Sequence, residues 1–311
     1  MLNFRFGRQL AENKETYDFP PFRPPSEADS LLLRLTRGCP WNRCAFCPMY
    51  KDVKFERREI EEVKKDIDTA QQFAGGNIDK VFIGDSDSLI INTKAICEIL
   101  EHLYNKFPSI VRVTSYARSQ TLKRKSADDL KSIRDAGLSR LHIGLETGNA
   151  HLLKKMRKGS GPETMIAGGV KAREAGFEVS LYVLLGMGGA TNWSGHASDT
   201  ARVINRMAPD FIRVRTLTPQ PGTRVYRWCE DGSFKMQNPE GILKEQRRLI
   251  ENLNLDCEYL SDHVSNYAPV NGMLPGDKPA MLAMIDNTLE RLTTDHEFKC
   301  ALEKMPFLRR L

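Results

Sequence analysis

The chain has 311 residues, 41% of them apolar and 28% charged, with a formal net charge of +6. That describes a globular protein with ample core, either one large domain with an appendage or two domains. No run of eighteen apolar residues occurs, so no helical membrane span is expected, and so mild a basic excess does not by itself call for nucleic acid.

Residues 1–30 carry Pro20-Pro21-Phe22-Arg23-Pro24-Pro25 and are expected to form an extended N-terminal arm laid over the surface. The first residues lack the long apolar stretch of a secretory signal, so a cytoplasmic location is expected. There, the seven cysteines are reduced, metal-bound or catalytic rather than paired as disulfides. From residue 31 onward, short runs rich in Val, Ile and Leu alternate with helical patterns. Strands are predicted at 31–36, 80–83, 111–115, 140–145, 178–185 and 211–217. Helices are predicted between them at 57–73, 93–105, 127–135, 162–175 and 192–207. Pro162 suits a first helical turn, and Gly137 and Gly176 suit helix stops. Six successive βα units imply a parallel sheet covered by helices. The expected fold is therefore α/β: a partial (β/α)6 TIM-like barrel over residues 31–235. Residues 236–311 show two further helical patterns, 239–253 and 278–292, and are expected to form a small helical C-terminal cap.

In a parallel βα array, ligands bind at the carboxyl ends of the strands. The first strand leads into Gly38-Cys39-Pro40-Trp41-Asn42-Arg43-Cys44-Ala45-Phe46-Cys47, three thiols within nine residues. The later strands end in Gly84-Asp85-Ser86-Asp87, in Ser115-Tyr116 followed by Arg118, in Gly144-Leu145-Glu146-Thr147-Gly148, in Leu185-Gly186-Met187-Gly188, and in Thr216-Leu217-Thr218. All place polar or glycine-rich material at one rim. Arg34, Thr36, His142, Tyr182, Arg213 and Arg215 interrupt the apolar strands at alternate positions, which points to a polar lumen. Thiolates are the usual holders of iron–sulfur centres, and three of them leave one iron of a four-iron cluster without a protein ligand. A structural zinc knot normally needs four ligands, and the nearest histidine, His102, is too distant to be a local fourth.

Cysteines spaced by four and then two residues, with Phe46 before the last, on the first loop of a partial barrel, resemble the radical S-adenosylmethionine (radical SAM) enzymes. The commonest family spacing has three residues in the first gap; this chain has four. Glu146 in its Gly-Leu-Glu-Thr-Gly run resembles the fourth-strand motif of the branch holding the anaerobic coproporphyrinogen oxidases, the Elongator catalytic subunit and the methylthiotransferases. Where the family often has Gly-Gly-Glu, this chain has Gly84-Asp85-Ser86-Asp87. The resemblance covers residues 30–235 and implies a [4Fe–4S] cluster held by Cys39, Cys44 and Cys47, with SAM on its open iron. It further implies roles at the cofactor. Phe46 would shield the cluster, and Gly84, Asp85 and Asp87 would meet the ammonium end of SAM. Ser115 and Arg118 would meet its carboxylate, Glu146 the ribose, and the segment of Leu184 and Gly186 the adenine. A 5′-deoxyadenosyl radical would then take hydrogen from the substrate, with a flavodoxin or ferredoxin as electron donor and oxygen-free conditions preferred.

The polar run Ser261-Asp262-His263-Val264-Ser265-Asn266-Tyr267 is expected to cap the barrel mouth, with His263 and Tyr267 exchanging protons with, or anchoring, the substrate. Lys154-Lys155-Met156-Arg157-Lys158 has the composition of a solvated helix face. The sequence shows neither a second cysteine triplet nor an aromatic-studded OB-like module, so a small-molecule substrate is expected, its carboxylates met by Arg213 and Arg215, and nucleic acid is not. The alternatives are a tRNA-modifying relative, an iron–sulfur electron carrier without catalysis, and a zinc-stabilised binding module.

Overall fold

The computed structural model describes residues 22–74 and 78–308. Most of the expected arm, Pro20 and Pro21 included, lies outside the described residues; a 3₁₀ turn at Pro25–Glu27 leads into the barrel. The first predicted strand is broken at Leu35 into β1 (Leu31–Arg34) and β2 (Thr36–Arg37). β2 peels off the sheet to pair antiparallel with β3 (Glu56–Arg57), and this ribbon closes the base of the cysteine loop. The βα units then follow: α1 (Ile60–Ala74), β4 (Lys80–Gly84), α2 (Thr93–Lys106) and β5 (Arg112–Ala117). Two short helices, α3 (Ser119–Arg124) and α4 (Ala127–Asp135), precede β6 (Leu138–Glu146). After it come α5 (Ala150–Lys155), α6 (Pro162–Glu174), β7 (Glu178–Leu185), α7 (Trp193–Met207) and β8 (Phe211–Thr216).

Local chemistry explains where these elements begin and end. Ser126 and Asp129 form a reciprocal capping box on α4, and Pro162 opens α6. Gly137 and Gly176 both have positive φ directly after helices, as the sequence led one to expect.

The six predicted strands lie parallel and in sequence order, β1-β4-β5-β6-β7-β8. The (β/α)6 half-barrel is therefore present. The residues beyond 235 do more than cap it. After α8 (Arg224–Glu230) and α9 (Pro239–Asn252), β9 (Cys257–Leu260) adds parallel to β8, and β10 (Gly272–Leu274) adds antiparallel to β9. The sheet thus has eight strands, and α10 (Lys278–Thr294) and α11 (His296–Leu308) complete the chain. The extension is helical but not purely so. Its strands are only four and three residues long, and Glu258 interrupts the first, so they lack the apolar run that marked the others.

The outward faces of the strands and the inward faces of the helices form one apolar core, from Leu33 and Val63 through Leu141 and Val179 to Ile250. The inward strand faces are different, because successive side chains alternate. Register places Tyr116 beside His142 and Tyr182 beside Arg213. Phe82, Tyr116, His142 and Tyr182 form a chain of ring contacts with centroids 5.1–6.1 Å apart. This polar aromatic lumen is closed from the amino ends of the strands by Glu27, which is fully buried. Glu27 accepts from Ser30 Oγ at 2.7 Å, pairs with Arg112 at 3.5 Å and lies 3.3 Å from His142 Nε2.

Candidate active site

A cavity of about 760 Å³ opens at the carboxyl ends of the strands. Cys39, Cys44 and Cys47 form one wall of it, all as free thiols. Their loop is held by long-range backbone bonds rather than by regular structure. Ala45 N–H donates to Met156 O at 2.9 Å, and Val225 N–H donates to Ala45 O at 3.1 Å. Trp41 Nε1 donates to Arg157 O at 2.7 Å. Gly38 starts the loop at φ 79°, a conformation that suits glycine. Asn42 follows at φ 43°, and its N–H donates to Cys39 Sγ at 3.3 Å.

Charged groups stand beside the thiols. Glu146, at the end of β6, has φ 65°, and the β6–β7 register shifts between Gly144 and Glu146. The bulge turns its carboxylate inward, where Lys158 Nζ meets it at 2.9 Å. The pair lies over bare Gly144, where an added Cβ would stand 2.4 Å from Glu146 Oε1. Lys158 Nζ also sits 5.9 Å from the Phe46 ring centre, and the Arg118 guanidinium 5.5 Å from that of Trp41. Burial alone would lower the Lys158 ammonium, but Glu146 and Cys44 hold it above its usual range. Burial pushes the Cys47 thiol up to about 11 and also raises Cys44, against a downward pull from Lys158. Metal binding here would therefore release thiol protons, with the two cations stabilising the thiolates left behind.

The loop after β9 supplies another wall through His263, Val264 and Ser265. It is fastened to the end of β8. Thr216 N–H donates to Ser265 Oγ at 3.0 Å, and Asn266 Nδ2 donates to Val214 O at 2.7 Å. Ser265 N–H donates to His263 Nδ1 at 3.1 Å, so neutral His263 carries its proton on Nε2.

The expected site residues divide into two groups. Phe46, Arg118, Glu146, Leu184 and His263 join the three cysteines around the cavity. The others stand behind its walls. Asp85 is buried in a bidentate pair with Arg34, 2.9 Å at its shortest. Asp87 is also buried; it accepts from Arg118 N–H at 3.1 Å and Thr121 Oγ1 at 2.6 Å, which fastens the start of α3. A Cβ on Gly84 would stand 2.9 Å from Leu32, so its bareness serves strand packing. Ser115 Oγ donates to backbone oxygens of Ile83 and Tyr116. Gly186, at φ 85°, gives its N–H to the buried Glu245 at 2.9 Å. Tyr267 packs against the apolar core.

Among the cavity residues to which the sequence reading gave no role are Lys158, Trp41 and Tyr50. Lys154 and Lys155 are exposed, as the basic run suggested, but the positive φ of Arg157 and Gly159 turns Lys158 inward. The lumen expectation holds for His142, Tyr182 and Arg215, all of which line the cavity.

The donor set fits a [4Fe–4S] cluster with SAM. Among the described residues no three His, Cys, Asp or Glu side chains close on one point as ligands of a single ion do. The three thiols share the cavity lining with two cations and an aromatic ring, and a cavity of this size leaves room for an organic molecule. Among the described residues no helix is long and apolar enough to cross a membrane.

Comparison with known proteins agrees with this geometry. Residues 33–197 match the family model of the radical SAM superfamily. The chain is 20% identical over 246 residues to the heme chaperone HemW of Buchnera aphidicola, covering 75% of this chain and 61% of that protein. It is 24% identical over 221 residues to the uncharacterized methyltransferase PH0819 of Pyrococcus horikoshii, covering 69% and 45%. The chain therefore spans less than two thirds of the length of these curated relatives. In structure it is similar to coproporphyrinogen III oxidase HemN from Escherichia coli, with a TM-score of 0.52, 18% identity, and coverage of 71% of this chain and 52% of that one. The radical SAM methyltransferase TsrM from Kitasatospora setae gives 0.52 and 18%, covering 67% and 42%. At such identities the likeness is one of fold.

Proposed function

The chain belongs to the radical SAM superfamily, matched over more than half of its length, and from that premise we propose that it takes hydrogen from a small organic substrate held in the cavity beside Cys39, Cys44 and Cys47. The observation that carries this reading is the meeting of the three thiols, the Glu146–Lys158 pair and Arg118 on a single cavity at the carboxyl ends of the strands. A reduced [4Fe–4S] cluster with bound SAM supplies a 5′-deoxyadenosyl radical, and the cofactor carries that part of the chemistry. The protein's own residues bind, orient and exclude water. Cys39, Cys44 and Cys47 would hold three irons, and Arg118 and Lys158 would offset the negative charge gathered there. Glu146, held in place by Lys158, would accept from the ribose hydroxyls. Phe46 and Leu184 give apolar walls that keep water from the reacting centre. His263, oriented by Ser265, would serve the substrate as a proton-exchanging side chain on the cavity wall. An external one-electron donor such as a flavodoxin or ferredoxin would supply the electron, and a cytoplasmic setting free of oxygen suits such a cluster.

The names of the relatives, a heme chaperone and an uncharacterized methyltransferase, differ, and no substrate is carried over from them. The test is direct. After iron and sulfide are restored without oxygen, the protein should yield 5′-deoxyadenosine from SAM and dithionite, and Cys44→Ala should form none. A fully loaded cluster that leaves SAM intact would sink the reading.

A further inference from the structure

Arg213 and Arg215 stand at alternate positions of β8 and so project from the same face. That face looks into the barrel: Arg215 lines the cavity, and Arg213, two residues nearer the amino end of β8, stands behind its lining. The other arginines of the eight-stranded sheet have acidic partners: Arg34 with Asp85, Arg112 with Glu27 and Arg140 with Glu178. Among the described residues Arg213 and Arg215 have none. The Arg215 guanidinium lies 5.0 Å from the Tyr182 ring centre, and Arg213 Nε is buried without a hydrogen-bond partner. Cations taken from water without a counter-charge are costly, and such groups are normally paired.

A second, independent observation lies in the same part of the cavity. His142 is fully buried and lines the cavity, with its ring centre 6.0 Å from that of Tyr182. Its Nε2 faces Glu27, while its Nδ1 has no partner. These groups lie apart from the cations on the cofactor wall, where Arg118 stacks over Trp41 and Lys158 stands near Phe46.

We propose that Arg215 and His142, backed by the charge of Arg213 behind the lining, form an anion subsite at the deep end of the cavity. It takes the acidic group of an organic substrate, a carboxylate or phosphate, whose apolar body lies against Met165, Leu184 and Leu217. The planar fork of arginine suits both oxyanions. This inference rests on the radical-enzyme reading and names the class of molecule on which it acts.

The test uses the reconstituted, unreduced holoprotein saturated with SAM, titrated by calorimetry with 4-phenylbutyrate, phenyl phosphate and the neutral 4-phenylbutyramide. At least one of the two anions should bind clearly more tightly than the amide, and whichever it is identifies the acid. Arg215→Gln and Arg213→Gln should each weaken that anion by roughly tenfold to a hundredfold, while Arg215→Lys, which keeps the charge, should lose less. Equal binding of acid and amide overturns the subsite, as does indifference to the substitutions. Displacement of the anion by rising SAM overturns it too, because the arginines would then serve the cofactor. The two readings fail separately in the wild-type protein. Deoxyadenosine formation without discrimination between acid and amide removes only the subsite. Discrimination without deoxyadenosine leaves the subsite and removes the enzyme.

Discussion

Gly159 shows how one backbone position sets the site. It sits at φ 84°, and a Cβ there would stand 2.5 Å from the Trp41 ring. Gly159→Ala therefore combines a left-handed strain with a steric clash, and should cost about 2 kcal/mol or more, read as a lower urea midpoint. Because the same turn carries Lys158 to Glu146, the variant should also lose iron more readily during reconstitution. The cysteine triplet was legible in the sequence because its ligands are neighbours in the chain. The Glu146–Lys158 pair was not, since its partners are brought together by a strand bulge and a positive-φ turn that no spacing rule encodes. Asp85 and Asp87 show the converse. Their position after β4 marked them as candidates, but buried carboxylates need partners, and Arg34, Thr121 and the Arg118 N–H supply them within the wall.

At the scale of elements, the carboxyl ends of the strands are held by buried polar joints rather than by the sheet alone. Glu245 on α9 accepts from Gly186 N–H beyond β7 at 2.9 Å, from His196 Nδ1 on α7 at 2.8 Å, and from Gln237. It is fully buried, so Glu245→Ala leaves three donors without a partner. The expected loss is about 3 kcal/mol, seen as a drop in unfolding midpoint, with early hydrogen exchange at Gly186 as the local sign. Glu245→Gln should recover part of this, because it keeps an acceptor. The six parallel strands of the half-barrel were readable from their apolar runs, because their outward faces pack under the helices. β9 and β10 were not, because Cys257-Glu258-Tyr259-Leu260 carries too little apolar pattern to separate a short strand from a loop. The joint at Asn266 falls in the same category: the sequence placed it in a cap over the barrel mouth, but not the bond by which it fastens that cap to β8.

Across the whole molecule, the plug at Glu27 links stability to acidity. Burial alone would raise its carboxyl, but hydrogen bonds from His142 and Ser30 and the charge of Arg112 outweigh this and bring it from 4.5 down to about 2. A depressed carboxyl adds stability above its unfolded value, and that stability is lost as pH falls from about 4.5 toward 2. The shift corresponds to about 3 kcal/mol. His142 is itself lowered by burial, so protonation of the unfolded chain begins to cost stability already below about 6.5. Urea midpoints taken at pH 7, 5 and 3 should therefore fall steadily, and Glu27→Gln should lower the neutral value and flatten the acid limb. A wild-type midpoint that does not change between pH 7 and 3 would refute the linkage.

The same plug settles traffic. Among the described residues, Glu27 fills the lumen at the amino ends of the strands, and the cavity opens beside the cysteine loop at the other end. On the proposed reading, an acid bound for the arginine subsite would enter past the side of the cavity that holds SAM. Loading should then be sequential: the acid enters first and leaves last, and SAM added early should slow the entry of the acid without weakening its final hold.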